Sequence, residues 1–167
     1  MRQLIATALV AGLAGSAASA AEVVADVRDR DNTALGAVRV EDTASGMALV
    51  TLQLATLPEG THAIHLHETG DCSAPDFTSA GGHVAGERMH GVRTEGGPHP
   101  GDMPNLTVTS DGVARAQVFL PYLDVETHLR DADGAAFVMH QGADDYESQP
   151  AGAAGPRIAC GEFLPAE

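Results

Sequence analysis

The sequence contains no lysine and no tryptophan: its nine basic residues are all arginine, set against 23 acids. A chain so poor in cations does not neutralise phosphates, which excludes nucleic acid and anionic membrane surfaces as partners. Long apolar runs are missing as well. Beyond the N-terminus no stretch is long or apolar enough to cross a bilayer. Cysteine is limited to Cys72 and Cys160. Sustained helical periodicity is absent from the chain after its first twenty residues.

What is present begins with an export signal. Met1-Arg2-Gln3 is a short cationic start, Leu4 to Ala14 is an apolar run too short to span a membrane, and Ala18-Ser19-Ala20 is a small-residue cleavage site. Residues 1–20 therefore read as a secretory signal peptide, and residues 21–167 as one domain with enough chain for a full core. Arg2 leaves with the signal, so eight arginines face 23 acids and the mature charge is −15 with histidine neutral. In an exported chain an even pair of cysteines most simply forms one disulfide.

Eight short segments have strand character, most of them separated by Gly, Pro, Asn or Asp turns: 22–28, 35–41, 46–55, 62–68, 106–109, 113–120, 135–141 and 157–163. The expected fold class is all-β, an eight-stranded Greek-key sandwich or flattened barrel. Two connections are much longer than the usual about four to six residues. One runs from Thr69 to Asn105 and the other from Gly142 to Pro156; loops of this kind in a compact domain are either functional or disordered, and the histidines and Asp102 of the first favour function.

The chain has eight histidines. His65 and His67 stand two apart around Leu66, so on a strand both rings leave one face while Leu66 turns to the core. Two neutral imidazoles on one rigid face are half of a four-nitrogen site suited to copper or zinc. The first long loop adds His83, His90, His99 and Asp102 among glycines and prolines. Three imidazoles and a carboxylate make a complete tetrahedral zinc set; a glycine-rich loop with surface histidines has the same composition. His140 ends the apolar strand Ala-Ala-Phe-Val-Met, and Asp144 and Asp145 follow it.

Taken together these segments resemble the copper/zinc superoxide dismutase family in its exported bacterial form, over essentially the whole mature chain. His62 to Cys72 is similar to the family's copper strand, Ser79 to His83 to the segment with its bridging histidine, and Phe137 to His140 to the strand with the last copper ligand. Pro156-Arg157-Ile-Ala-Cys160-Gly is similar to its arginine-and-cysteine motif. The resemblance implies copper held by His65, His67, His83 and His140, and zinc held by His83, His90, His99 and Asp102. His83 would bridge both ions as an imidazolate. It further implies that Asp144 links the two shells, that Arg157 docks the anionic substrate and that Cys72 pairs with Cys160. His62 matches a structural histidine. His128 matches nothing and reads as a surface residue.

The implied reaction is dismutation of two superoxide anions to oxygen and hydrogen peroxide, with one copper and one zinc ion per subunit. The implied compartment is the periplasm, with secretion beyond it left open; monomer and homodimer are both left open. The chain departs from the family pattern at Ala63-Ile64, where Gly-Phe is common, and in lacking the lysines that many members place around the channel. An exported metal-buffering or copper-delivery protein of the same fold is the alternative reading. It would need metal ligands but neither an anion dock nor a bridge.

Overall fold

The structure, a computed structural model, describes residues 20–165. The segment read as a signal peptide lies outside them except for Ala20. Strands β1 (Glu22–Asp29), β2 (Ala34–Asp42) and β3 (Ala48–Leu54) are successive antiparallel partners. Along β1, exposed and buried residues alternate, which turns Val23, Ala25 and Val27 into the core, as a strand with one wet face requires. β4 (Gly60–His62) and β5 (Ile64–His67) follow, then β6 (Leu106–Val108), β7 (Ala114–Leu120), β8 (Ala135–His140) and β9 (Arg157–Phe163).

Seven strands form one sheet in the order β5-β8-β9-β1-β2-β3-β7, and β4 pairs with β6 in a second, two-stranded sheet. The non-consecutive neighbours are long crossovers of the Greek-key kind. The fold is all-β, with one difference in strand count. The segment expected as a single strand over 62–68 breaks at Ala63, whose N–H bonds the Gly142 carbonyl at 2.8 Å. His62 stays with β6 while Ile64 onward joins β8. One turn of α-helix, α1 (Val125–His128), is capped by Asp124, whose carboxylate accepts the Thr127 N–H at 2.8 Å. A single turn is too short to show a helical period in the sequence.

β8 explains how the sheet reaches the site. Ala135, Phe137 and Met139 enter the main core, while Ala136 and Val138 join a second cluster with Phe77, Ala80 and Cys160 on the opposite face. That second cluster seats the first long loop on the outside of the sheet. The strand is buried on both faces, so its sequence is a continuous apolar run. Cys72 and Cys160 are bonded, with S–S 2.01 Å, and tie the same loop to β9 across 88 residues.

Candidate metal centre

β5 is the backbone of the centre. His65 and His67 leave one face, Leu66 enters the main core, and all three are essentially inaccessible. The first loop returns along the free edge of this strand. Bridges pair His67 with His83 and His65 with Asp102. Main-chain bonds run from Leu66 N–H to the Gly101 carbonyl at 2.9 Å and from Val84 N–H to the Leu66 carbonyl at 2.8 Å. The approach is so close that a Cβ on Gly101 would stand 2.7 Å from the Leu66 carbonyl oxygen, so only glycine fits there. His140 arrives from the other side of β5. A register shift between Met139 and His140 sets it opposite Arg157, the re-aiming that a bulge provides.

Two groups of side chains result. Ligand atoms of His65, His67, His83 and His140 lie within 4.8 Å of one another, as do those of His65, His83, His90 and Asp102. His83 and His65 are common to both, their rings stacked with centroids 4.0 Å apart. In the second group Asp102 is the hub. Its Oδ1 lies 3.0 Å from His83 Nδ1 and 3.3 Å from His99 Nδ1, and a carboxylate oxygen lies 3.1 Å from His90 Nδ1. Ligand atoms at tetrahedral corners about 2.0 Å from an ion stand roughly 3.3 Å apart, so Asp102 stands at zinc-like spacing from each of the three rings. His65 sits near that set through its stacked ring, but its Nε2 is committed to Asp144. His99 brings a third ring to the same carboxylate.

The ring nitrogens test whether metals fit. His65 Nδ1, His67 Nε2, His83 Nε2, His99 Nδ1 and His140 Nε2 are buried and have no hydrogen-bond partner. Buried polar atoms left so are costly, and native proteins seldom keep five together. The opposite nitrogen is engaged in four of these rings. His67 Nδ1 donates to the Gly81 carbonyl and His140 Nδ1 to the Gly155 carbonyl, both at 3.0 Å. His65 Nε2 donates to Asp144 Oδ2 at 2.8 Å, and His83 Nδ1 lies 3.0 Å from Asp102 Oδ1. Such tethers fix tautomer and ring orientation and leave a lone pair aimed inward.

Titration agrees with the geometry. Burial drives His65 down to about 3 and His67 down to about 2, and lowers His83 and His140. All four rings are thus neutral at pH 7, the form that ligates metal. Asp102 is held far below the usual carboxylate range: burial alone would raise it, but the hydrogen bonds from His83 and His90 and the approach of the His99 ring outweigh that. His90 is opposite in sense. Burial lowers it, yet hydrogen bonds to Asp102 and Asp144 carry it up to about 9.

Asp144 stands between the groups, with Oδ2 on His65 Nε2 at 2.8 Å and Oδ1 on His90 Nε2 at 3.0 Å. Arg157 is half-buried, and its guanidinium donates to the carbonyls of Phe77 and Gly81, both at 2.6 Å. Both acceptors lie in the segment that the disulfide pins. Of the other nearby acids, Glu68 accepts the Gly82 N–H, Asp71 the Ser73 N–H and Asp145 the N–H groups of Glu147 and Ser148. They serve as loop pins. His62 is buried away from both groups, with Nδ1 2.9 Å from the His140 carbonyl and Nε2 3.1 Å from the Pro58 carbonyl. His128 is at the end of α1, with Nδ1 accepting the Asp124 N–H at 3.0 Å.

Two carboxamides at the site were not singled out by the sequence. Asn105 exchanges two hydrogen bonds with the main chain of Asp144, at 2.8 and 2.9 Å, and Gln149 does the same with His90, at 3.0 and 2.9 Å. A polar residue in a long loop carries no pattern that announces such a role.

Comparison with known proteins agrees with this architecture. The family model for copper/zinc superoxide dismutase (SODC) matches residues 34–163. A copper-zinc superoxide dismutase of Caulobacter vibrioides is 41% identical over 142 residues, covering 81% of each chain. One of Aquifex aeolicus is 40% identical over 143 residues, covering 82% of this chain and 84% of that one. Among solved structures, a superoxide dismutase-like protein from Bacillus subtilis superposes with a TM-score of 0.80 at 32% identity, covering 84% of this chain and 97% of that one. The Cu/Zn superoxide dismutase from Brucella abortus gives 0.71 at 25% identity, covering 86% and 99%. With its fold, its two histidine groups and most of its length in common with these proteins, the chain belongs to the copper/zinc superoxide dismutase family.

Proposed function

We propose that this protein dismutates superoxide, converting two anions and two protons to one oxygen and one hydrogen peroxide. The observation that carries the reading is the set of four buried, unpartnered ring nitrogens, those of His65, His67, His83 and His140, gathered at one point, with Asp102 and its three histidines beside them. His65, His67, His83 and His140 would hold copper, and His83, His90, His99 and Asp102 would hold zinc. When bound, copper supplies one-electron exchange in both directions and zinc supplies fixed positive charge without redox chemistry.

The chain's own residues do the rest. Arg157 presents a guanidinium held in place by two carbonyls, a fixed cation for a small anion. Burial lowers its pKa from the ordinary arginine value, against the pull of Asp76, but arginine stays charged at any working pH. His83 offers one nitrogen to each ligand set, so its Nε2 can hold a proton on the copper side while Nδ1 stays with Asp102. Asp144 keeps His65 and His90 oriented. The disulfide and the bacterial relatives support an exported protein. We place it in the periplasm after removal of residues 1–20.

The test is superoxide consumption by protein loaded with both metals, followed by pulse radiolysis or a cytochrome c competition. Consumption that disappears in His140→Ala supports the reading. Protein that takes up both ions and leaves superoxide untouched would instead be a metal-buffering relative.

A further inference from the structure

The zinc-side histidine His90 is held in an unusual way. Its ring is inaccessible and sits between two carboxylates, Asp102 at Nδ1 and Asp144 at Nε2. Its main chain is gripped as well. Gln149 Oε1 accepts the His90 N–H at 3.0 Å, and Gln149 Nε2 donates to the His90 carbonyl at 2.9 Å. Two antiparallel bonds from one planar amide fix both the position and the direction of a peptide, as a strand partner does. The same Nε2 donates to the Glu147 carbonyl at 2.9 Å, so the amide itself is fixed within the second loop. No other side chain pairs with both main-chain groups of a residue in either proposed ligand set, among the described residues.

We propose that Gln149 is a positioning residue for zinc: it sets His90 from the second long loop, so that retention of the ion depends on a residue that never touches it. The proposal rests on the assignment of zinc to His83, His90, His99 and Asp102. The reasoning is geometric. Asp144 fixes where Nε2 points, and Asp102, shared with two other rings, also accepts the Gly91 N–H at 2.9 Å, so the remaining freedom of His90 lies in its own N–H and carbonyl. Gln149 removes that freedom. Loss of an outer partner of a metal ligand typically costs ten- to a hundredfold in affinity, about tenfold where the ligand's own side-chain partners remain.

Three variants and two readouts decide it. Gln149→Ala removes both bonds. Gln149→Glu keeps the acceptor for the His90 N–H but loses the donor to its carbonyl. Arg93→Ala cuts a different tie between the same loops, from Arg93 Nη1 to the Asp145 carbonyl at 3.2 Å, without touching His90. The first readout is the rate of zinc transfer from the fully loaded protein to a chromophoric chelator. The second is the visible spectrum of cobalt placed in the zinc site, which reports ligand geometry without reference to activity. Roughly tenfold faster zinc release is expected in Gln149→Ala, a smaller effect in Gln149→Glu, an altered cobalt envelope in both, and wild-type values in Arg93→Ala. Wild-type release and spectrum in Gln149→Ala would overturn the proposal, as would equal acceleration in Arg93→Ala, which would signify general loosening of the loops. The underlying zinc assignment fails separately: it falls if the unsubstituted protein takes up no cobalt with a tetrahedral spectrum, or if Asp102→Ala leaves that spectrum unchanged.

Discussion

Replacing Gly152 by alanine tests the seam between the two ligand sets. Gly152 has φ +69°, and a Cβ built there would overlap Asp144 Oδ1 and stand 2.7 Å from His90 Nε2. Gly46 is the natural control, with φ +81° and nothing within 4 Å of the added carbon. The left-handed conformation costs an alanine about 1–2 kcal/mol at either place. At Gly152 a second cost follows. Asp144 cannot retreat, because its N–H is bonded to Asn105 and its other oxygen to His65. The 3.0 Å bond from His90 to Asp144 is the one that gives. Breaking a hydrogen bond to a charged buried group costs about 1.5–3 kcal/mol, for a total near 3–5 kcal/mol. In a domain of this size each kcal/mol lowers Tm by about 2–4 °C. The left-handed cost is common to both variants, so Gly152→Ala should melt about 3–12 °C below Gly46→Ala in metal-free protein. Differential scanning calorimetry of the two variants under one buffer is the assay. Melting points within a degree or two of each other would refute the claim that Asp144 is wedged in place.

Three more outcomes are expected. Removing the disulfide by Cys72→Ser with Cys160→Ser frees a loop closed across 88 residues; chain entropy puts the loss near ~4.6 kcal/mol, and urea unfolding that showed less than about 1 kcal/mol would contradict it. Asp102→Ala should strip zinc while copper still binds, and His140→Ala should strip copper while zinc still binds, because the two side chains belong to separate groups; metal analysis showing equal loss of both ions in each variant would mean the groups act as one. Arg157→Glu should slow superoxide consumption well beyond Arg157→Ala, since it reverses the one charge held by Phe77 and Gly81. With no lysine to steer at a distance, the wild-type rate should fall only gently as ionic strength rises, and a steep fall would argue for long-range guidance.

Much of this molecule is legible in its sequence for definite reasons. His65-Leu66-His67 declares a strand with two rings on one face because a period of two leaves no other arrangement. The apolar run into His140 marks a strand covered on both sides. The break at Ala63 leaves no such trace. His62 and Ile64 would share one face of a single strand, and what separates them is a change of partner at Ala63, which bonds Gly142 and His140 far along the chain. Asn105 and Gln149 stay hidden for the same reason. Their partners are main-chain groups 39 and 59 residues away in sequence, and a main-chain partner has no identity to read. α1 carries its capping aspartate in plain view but is too short for a period.

The tethers of the site divide by chemistry, and that division sets what constrains the loops. His67, His140 and Arg157 are all held by carbonyl oxygens of the main chain, those of Gly81, Gly155 and Phe77. A carbonyl is supplied by whichever amino acid occupies the position, so a substitution that preserves the backbone path preserves the tether. His65 and His90 lean instead on the Asp144 side chain, for which no other residue has both the reach and the charge. Over the copper side, therefore, shape is inherited through the path of the chain, and at Phe77, Gly81 and Gly155, all at positive φ, it is that path which limits the choice of residue. Between the two ligand sets the limit is instead one side chain, a single carboxylate.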